Sequence, residues 1–182
     1  MKNIDIRETT PADFEDIMKV ERRAFGQEDE AKLTADLLND PTAQPILSLL
    51  AFYNDKAIGH ILFTRLYLNE ISEQPLIHLL APMAVLPEFQ NQGIGGKLIK
   101  TGLEKLKAMG SEVVFVLGHI DYYPKYGFIN DAGKLGYQAP YPIPDEVADA
   151  WMIQTLNSEG IKLVRGKIKC AKQLDKPEYW SE

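Results

Sequence analysis

Apolar and polar residues change their period several times along the chain, and the changes divide it into elements. Residues 4–8 alternate, which is the period of a half-buried strand. Phe14, Ile17, Met18 and Phe25 then recur at helical spacing. Thr10 as N-cap, Pro11 in the first helical position and Asp13 in the first turn start that helix, and Gly26 ends it. A shorter helix is expected over residues 28–38, closed by Asn39-Asp40-Pro41. Residues 46–53 and 57–68 read as a hairpin across Asn54-Asp55-Lys56. Residues 76–86 are almost continuously apolar, as in a central strand covered on both faces. The discordant residue is Pro82, which has no N–H for a ladder and predicts a bulge or a break in pairing.

Next, Ile94, Leu98, Ile99, Leu103, Leu106 and Met109 make the apolar face of a helix, capped by Gly110. Residues 112–117 read as a strand stopped by Gly118, and residues 120–126 as a short helix or turn. Phe128-Ile129 is expected to open a further strand. Residues 132–144 form a loop rich in Gly, Pro and Tyr, and the last two strands are expected at 150–156 and 161–170. Strands alternate with helices and then dominate, which favours a mixed α/β sheet.

Composition adds limits. The 182 residues suit one domain, and a net charge of −6 with no basic run argues against a nucleic-acid surface. Cys170 is the single cysteine, so no internal disulfide forms and a reducing compartment, the cytoplasm, is expected. The first residues lack an apolar signal core, and no apolar run approaches the roughly 18 residues a membrane span needs. No membrane partner is expected. Oligomeric state stays open, a homodimer included.

The candidate chemistry begins where the apolar strand meets the amphipathic helix, at Gln90-Asn91-Gln92-Gly93-Ile94-Gly95-Gly96-Lys97. A helix start leaves backbone N–H groups unpaired and carries the positive end of the helix dipole, so it suits an anion, above all a phosphate. Two nucleotide motifs fail here. Asn91 stands where a P-loop needs its first glycine, and Leu98 stands where a P-loop needs Ser/Thr and a dinucleotide fold its third glycine. Packing alone would also account for a glycine turn.

The spacing Gln90-x-x-Gly93-x-Gly95 after Val85-x-Pro87 resembles the coenzyme A signature of the GNAT superfamily of N-acetyltransferases. The segment Gly118-His119-Ile120-Asp121-Tyr122-Tyr123-Pro124-Lys125-Tyr126-Gly127-Phe128 resembles that superfamily's later motif, and is most like a bacterial subgroup whose substrates are mostly unassigned. The element order agrees over about residues 3–148, with residues 149–182 completing the same sheet. The resemblance implies a mixed, mainly antiparallel sheet with splayed central strands and flanking helices. It also implies acetyl-coenzyme A as co-substrate, no metal, and acetyl transfer to a small-molecule or peptide amine in a ternary complex.

On this resemblance the coenzyme phosphates meet Gln90, Asn91, Gln92, Gly93, Ile94, Gly95, Gly96 and Lys97. The pantetheine arm pairs with the broken strand at Met83, Ala84 and Val85. The N–H of Val85, or of Ala84 beside it, polarises the thioester carbonyl. Tyr123 aligns with the superfamily's general acid, while Tyr122 and Tyr126 are expected to fill space. His119, at the end of a central strand, is a candidate base, because the ordinary histidine pKa of about 6.5 suits that role; shaping the turn is its other reading. Glu21 and Asp121 are weaker candidates, acting through water. His60 and His78 read as structural, and Tyr137, Tyr141 and Trp151 as core or pocket wall. A non-catalytic acyl-coenzyme A binding or sensing module is the alternative reading, and a protein without a ligand a further one.

Overall fold

The computed structural model describes residues 3–181. The alternating segment is β1 (Ile4–Glu8), followed by α1 (Phe14–Phe25) and α2 (Asp29–Leu38). A single 3-10 turn precedes α1. There the Thr10 amide donates to Asp13, whose carboxylate also takes both guanidinium nitrogens of Arg7 at 2.8 Å. Arg7 and Thr10 hold the Asp13 carboxyl far below the usual carboxylate range. Gly26 closes α1 at φ 71°, a left-handed conformation that costs glycine little.

The hairpin is β2 (Leu47–Tyr53) and β3 (Lys56–Leu68), turned through Asn54 and Asp55 at φ 48° and 62°. The long apolar run is β4 (Ile77–Val85), and the second amphipathic run is α3 (Ile94–Met109). Four strands follow: β5 (Val113–Leu117), β6 (Tyr137–Gln138), β7 (Trp151–Thr155) and β8 (Gly166–Lys169). The main sheet runs β1-β2-β3-β4-β5-β7, and β8 pairs with the end of β3 and with β6. Within that main run only β4 and β5 are parallel; the other neighbours are antiparallel.

Two strand expectations are corrected. Residues 161–165 stay outside any strand, because β8 forms only where Leu68 and Tyr137 offer partners. Ile129 makes a single bridge to Ile153 instead of a strand. The helices sandwich the sheet. Leu98 and Ile94 of α3 lie where a Cβ at Gly59 would point, while the next residue, His60, bonds Glu21 of α1. Successive strand residues face opposite ways, so α1 and α3 cover opposite faces. Among the described residues no helix is long and apolar enough to cross a membrane.

Candidate active site

Two features of β4 make the site. The first is a register shift against β3. Ile61 faces Met83 and Phe63 faces Leu80, so Leu62 alone opposes both Ala81 and Pro82. This two-against-one bulge sits at the proline that the sequence singles out. The second is the loss of β5. Pairing with β5 covers Ile77, His78 and Leu79 and stops there, while pairing with β3 continues to Val85. Beyond the bulge β4 therefore has one free edge.

The ladder shows which groups use that edge. The Leu86 amide donates to the Ile58 carbonyl at 2.9 Å. By antiparallel alternation Ala84 also turns its N–H and C=O to β3, and Met83 and Val85 turn theirs to the open side. Of the two expected carbonyl donors, the Val85 N–H faces out and the Ala84 N–H is used in the ladder. The Val85 carbonyl takes the Gln90 side-chain amide at 3.0 Å, so Gln90 braces the turn.

The turn winds through left-handed Asn91 (φ 60°) and Gly93 (φ 82°) into α3. The first intrahelical bond observed there is Lys97 N to Gly93 O, at 3.1 Å, leaving the amides of residues 94–96 aimed out of the helix end. The first turns of α1 and α2 carry acidic residues, Glu15 and Asp16, then Asp29 and Glu30; that of α3 carries none. The positive end of the α3 dipole is thus left for an outside anion.

The free edge and the helix start open into one cavity of about 880 Å³. Met83, Val85, Gln90, Asn91, Gly93, Ile94, Gly95, His119 and Tyr123 all line it. Ala84, Gln92, Gly96 and Lys97 do not. The Gln92 amide bonds the Glu88 carbonyl, and Lys97 is exposed on α3. Phe25, Phe89, Leu117, Tyr122 and Tyr126 line the same cavity. Phe25 is invisible as a site residue in the sequence, because only the fold brings the end of α1 beside the turn.

On the far wall, the His119 carbonyl receives the amides of Tyr122 and Tyr123, which starts the 3-10 turn Tyr123–Tyr126. His119 itself is exposed. The Tyr123 ring lies against Gly118, where any Cβ would collide with it, and edge-on to Phe128 at 5.7 Å. Burial pushes the Tyr123 phenol up to about 12, so it keeps its proton at neutral pH.

The remaining candidates lie elsewhere. Glu21 is fully buried, with Oε1 2.6 Å from His60 Nδ1, while His60 Nε2 meets Ser48 Oγ at 2.9 Å. Glu21 thus faces the core and not the cavity, and burial raises its pKa despite His60. Asp121 is exposed on the turn. His78 is fully buried between Ser111 Oγ and the Pro45 carbonyl, both at 2.8 Å. Trp151 stacks on Phe115 at 5.0 Å and donates to the Tyr137 carbonyl; both residues are buried. Tyr141 and Trp151 border a separate cavity of about 480 Å³ with Asp131, Asp145 and Lys167.

Comparison with known proteins agrees with this geometry. Residues 5–129 match the family described as "Acetyltransferase (GNAT) domain". The uncharacterized N-acetyltransferase YjhQ of Escherichia coli K12 is 53% identical over 163 residues, 90% of each chain. The crystal structure of the E. coli GNAT family N-acetyltransferase YhbS in complex with CoA superposes with a TM-score of 0.84 at 26% identity, covering 95% of this chain and 92% of that one. A GNAT family acetyltransferase from Brucella melitensis in complex with acetyl-CoA gives a TM-score of 0.73 at 25% identity, over 96% and 100% of the two chains. The chain belongs to the GNAT family and is an acetyltransferase.

Proposed function

We propose that this protein transfers the acetyl group of acetyl-coenzyme A directly to a primary amine in a ternary complex. The observation that carries the reading is the shared cavity: a strand edge, a helix start and two proton-transfer groups open into one space. The amides of residues 94–96 suit the pyrophosphate, as do the helix dipole and the absence of first-turn acids. The outward backbone of Met83 and Val85 suits the amide-rich pantetheine arm, which can pair as an added strand does.

On this reading the Val85 N–H holds the thioester carbonyl as charge builds on its oxygen. His119, facing the same space, takes the amine proton. The amine nitrogen forms the new C–N bond, the C–S bond breaks, and Tyr123 gives its proton to the leaving thiolate. Residues 3–148 form the acetyltransferase domain, and residues 149–182 complete its sheet and wall the acceptor side. Acceptors in scope are small-molecule or peptide amines, in the cytoplasm.

Titration with coenzyme A, followed by thiol release over an amine panel, tests this. Binding with release is expected. Binding without release for any amine would favour an acyl-coenzyme A sensing module, and no heat at millimolar ligand would sink the coenzyme reading. Gly95→Glu should abolish binding, because its side chain meets Tyr122 and Met83 and brings a negative charge to the phosphate site. Retained affinity in that variant would refute the site.

A further inference from the structure

The three tyrosines of the 122–126 turn differ in what their rings touch. Tyr123 packs on Gly118 and Phe128. Tyr122 and Tyr126 reach across the cavity to α3. The Tyr122 hydroxyl occupies the space a Cβ would need at Gly95, and the Tyr126 hydroxyl and ring occupy it at Gly96. At Gly93 nothing lies within 4 Å of that space. So Gly95 and Gly96 stay bare to admit two phenols, while Gly93 leaves the approach open.

The two rings touch edge-on, with centroids 5.3 Å apart. Burial first, and hydrogen bonding to Tyr126 second, raise the Tyr122 pKa, so its hydroxyl is protonated at neutral pH. Two phenols carry two donor hydrogens. A hydrogen bond between them uses one and leaves the other to give outward. It is offered beside the free amides of residues 94–96, on a helix turn without acidic residues.

We propose that Tyr122 and Tyr126 are phosphate-binding residues, whose hydroxyls complete the pyrophosphate site that the α3 amides begin. This rests on the coenzyme A reading and adds to it two residues outside the glycine turn. Space-filling aromatics would serve equally well as phenylalanine; hydroxyl donors would not.

The test uses Tyr122→Phe, Tyr126→Phe and the double variant, which keep the rings and remove the hydroxyls. Coenzyme A affinity is read by calorimetry, and binding of pantetheine, which has no phosphate, by ligand-observed NMR. Losing the hydroxyl that gives outward should weaken coenzyme A roughly tenfold, and the double variant should lose at least as much. Pantetheine binding and the melting temperature should hold. Unchanged or tighter coenzyme A binding would overturn the proposal, the tighter result meaning that the hydroxyls obstruct the site. Equal loss for pantetheine would overturn it too, since the damage would then be general. Wild-type protein that binds no coenzyme A would bring down the coenzyme reading itself, a result separate from unchanged variants.

Discussion

The two halves of β4 are alike in composition and opposite in use. Ile77, His78 and Leu79 pair with β3 on one side and β5 on the other and are buried. Met83, Ala84 and Val85 pair with β3 alone, and Met83 and Val85 line the large cavity. A strand satisfied on both edges has no backbone group to offer a ligand, because its N–H and C=O groups are spent. A strand with one free edge has a row of them. The bulge at Ala81 and Pro82 divides the two regimes. The contrast explains why the cavity-lining residues of β4 fall after the proline, although the apolar run is continuous through it.

Removing that division should have the largest effect. Leu62 faces both Ala81 and Pro82, so deleting Pro82 leaves Leu62 opposite Ala81 and keeps the pairs on either side. The two flanks keep their faces, and the fold should survive. The straightened strand can then extend its pairing with β5 as far as Leu117 and narrow the opening beside Met83 and Val85. Coenzyme A affinity should fall more than about 1,000-fold, or ~4 kcal/mol, by calorimetry on protein shown by urea unfolding to be folded. A folded deletion variant with normal affinity would separate the bulge from the site.

Tyr123→Phe probes the wall facing the open half, with a smaller effect. A phenol held near 12 is a much weaker acid than a thiol, so it steadies the leaving thiolate by hydrogen bonding more than by ready proton transfer, and its contribution sits at the low end for general acids. Turnover should drop roughly 100-fold with coenzyme affinity intact, by thiol release under saturating donor. Unchanged turnover would leave Tyr123 a packing residue on Gly118.

The sequence made much of this legible, for local reasons. Pro82, Gly93 and the Gly127-Phe128 pair each announce a backbone constraint that one residue type satisfies. The periods of α1, α3 and β2 to β5 follow from burying one face or two. What stayed hidden depends on distant partners. Tyr122 and Tyr126 read as space-fillers, since only the tertiary fold sets their hydroxyls over Gly95 and Gly96. The bond from the Gln90 side-chain amide to the Val85 carbonyl was hidden as well. Glu21 read as a base through water, because an apolar helix face does not reveal that His60 waits beneath it. The short extent of β8 was equally invisible, being fixed by Leu68 and Tyr137 far away in the chain.

The closed half offers the smallest and most selective test. His78 is fully buried, with Nε2 2.8 Å from the Pro45 carbonyl and Nδ1 2.8 Å from Ser111 Oγ. A carbonyl only accepts, so Nε2 carries the proton and Nδ1 accepts from the serine: a neutral ring. His78→Leu strands the Pro45 carbonyl, while Ser111 can still turn to Leu76 O at 3.4 Å. The cost should be about 2 kcal/mol in urea unfolding, with coenzyme affinity in the folded protein unchanged. The pH dependence sharpens the attribution. Burial, reinforced by the charge of Arg65, lowers the His78 pKa below 6.5 in the folded state. The unfolded chain therefore takes up this proton first on acidification. The stability tied to neutral His78 is complete above about pH 6.5 and is lost as pH falls from there toward the lower folded value, by at most ~1.4 kcal/mol per pH unit. Glu21, Asp13 and Asp40 also titrate with shifted values, but they are common to both proteins and cancel in the difference. The gap between wild type and His78→Leu should thus narrow between about pH 8 and about pH 5. A gap that widens as pH falls would mean that His78 takes its proton in the fold before the unfolded chain does, and the closed half of β4 would then hold a buried cation in place of a neutral strut; a constant gap would mean that burial leaves His78 unshifted.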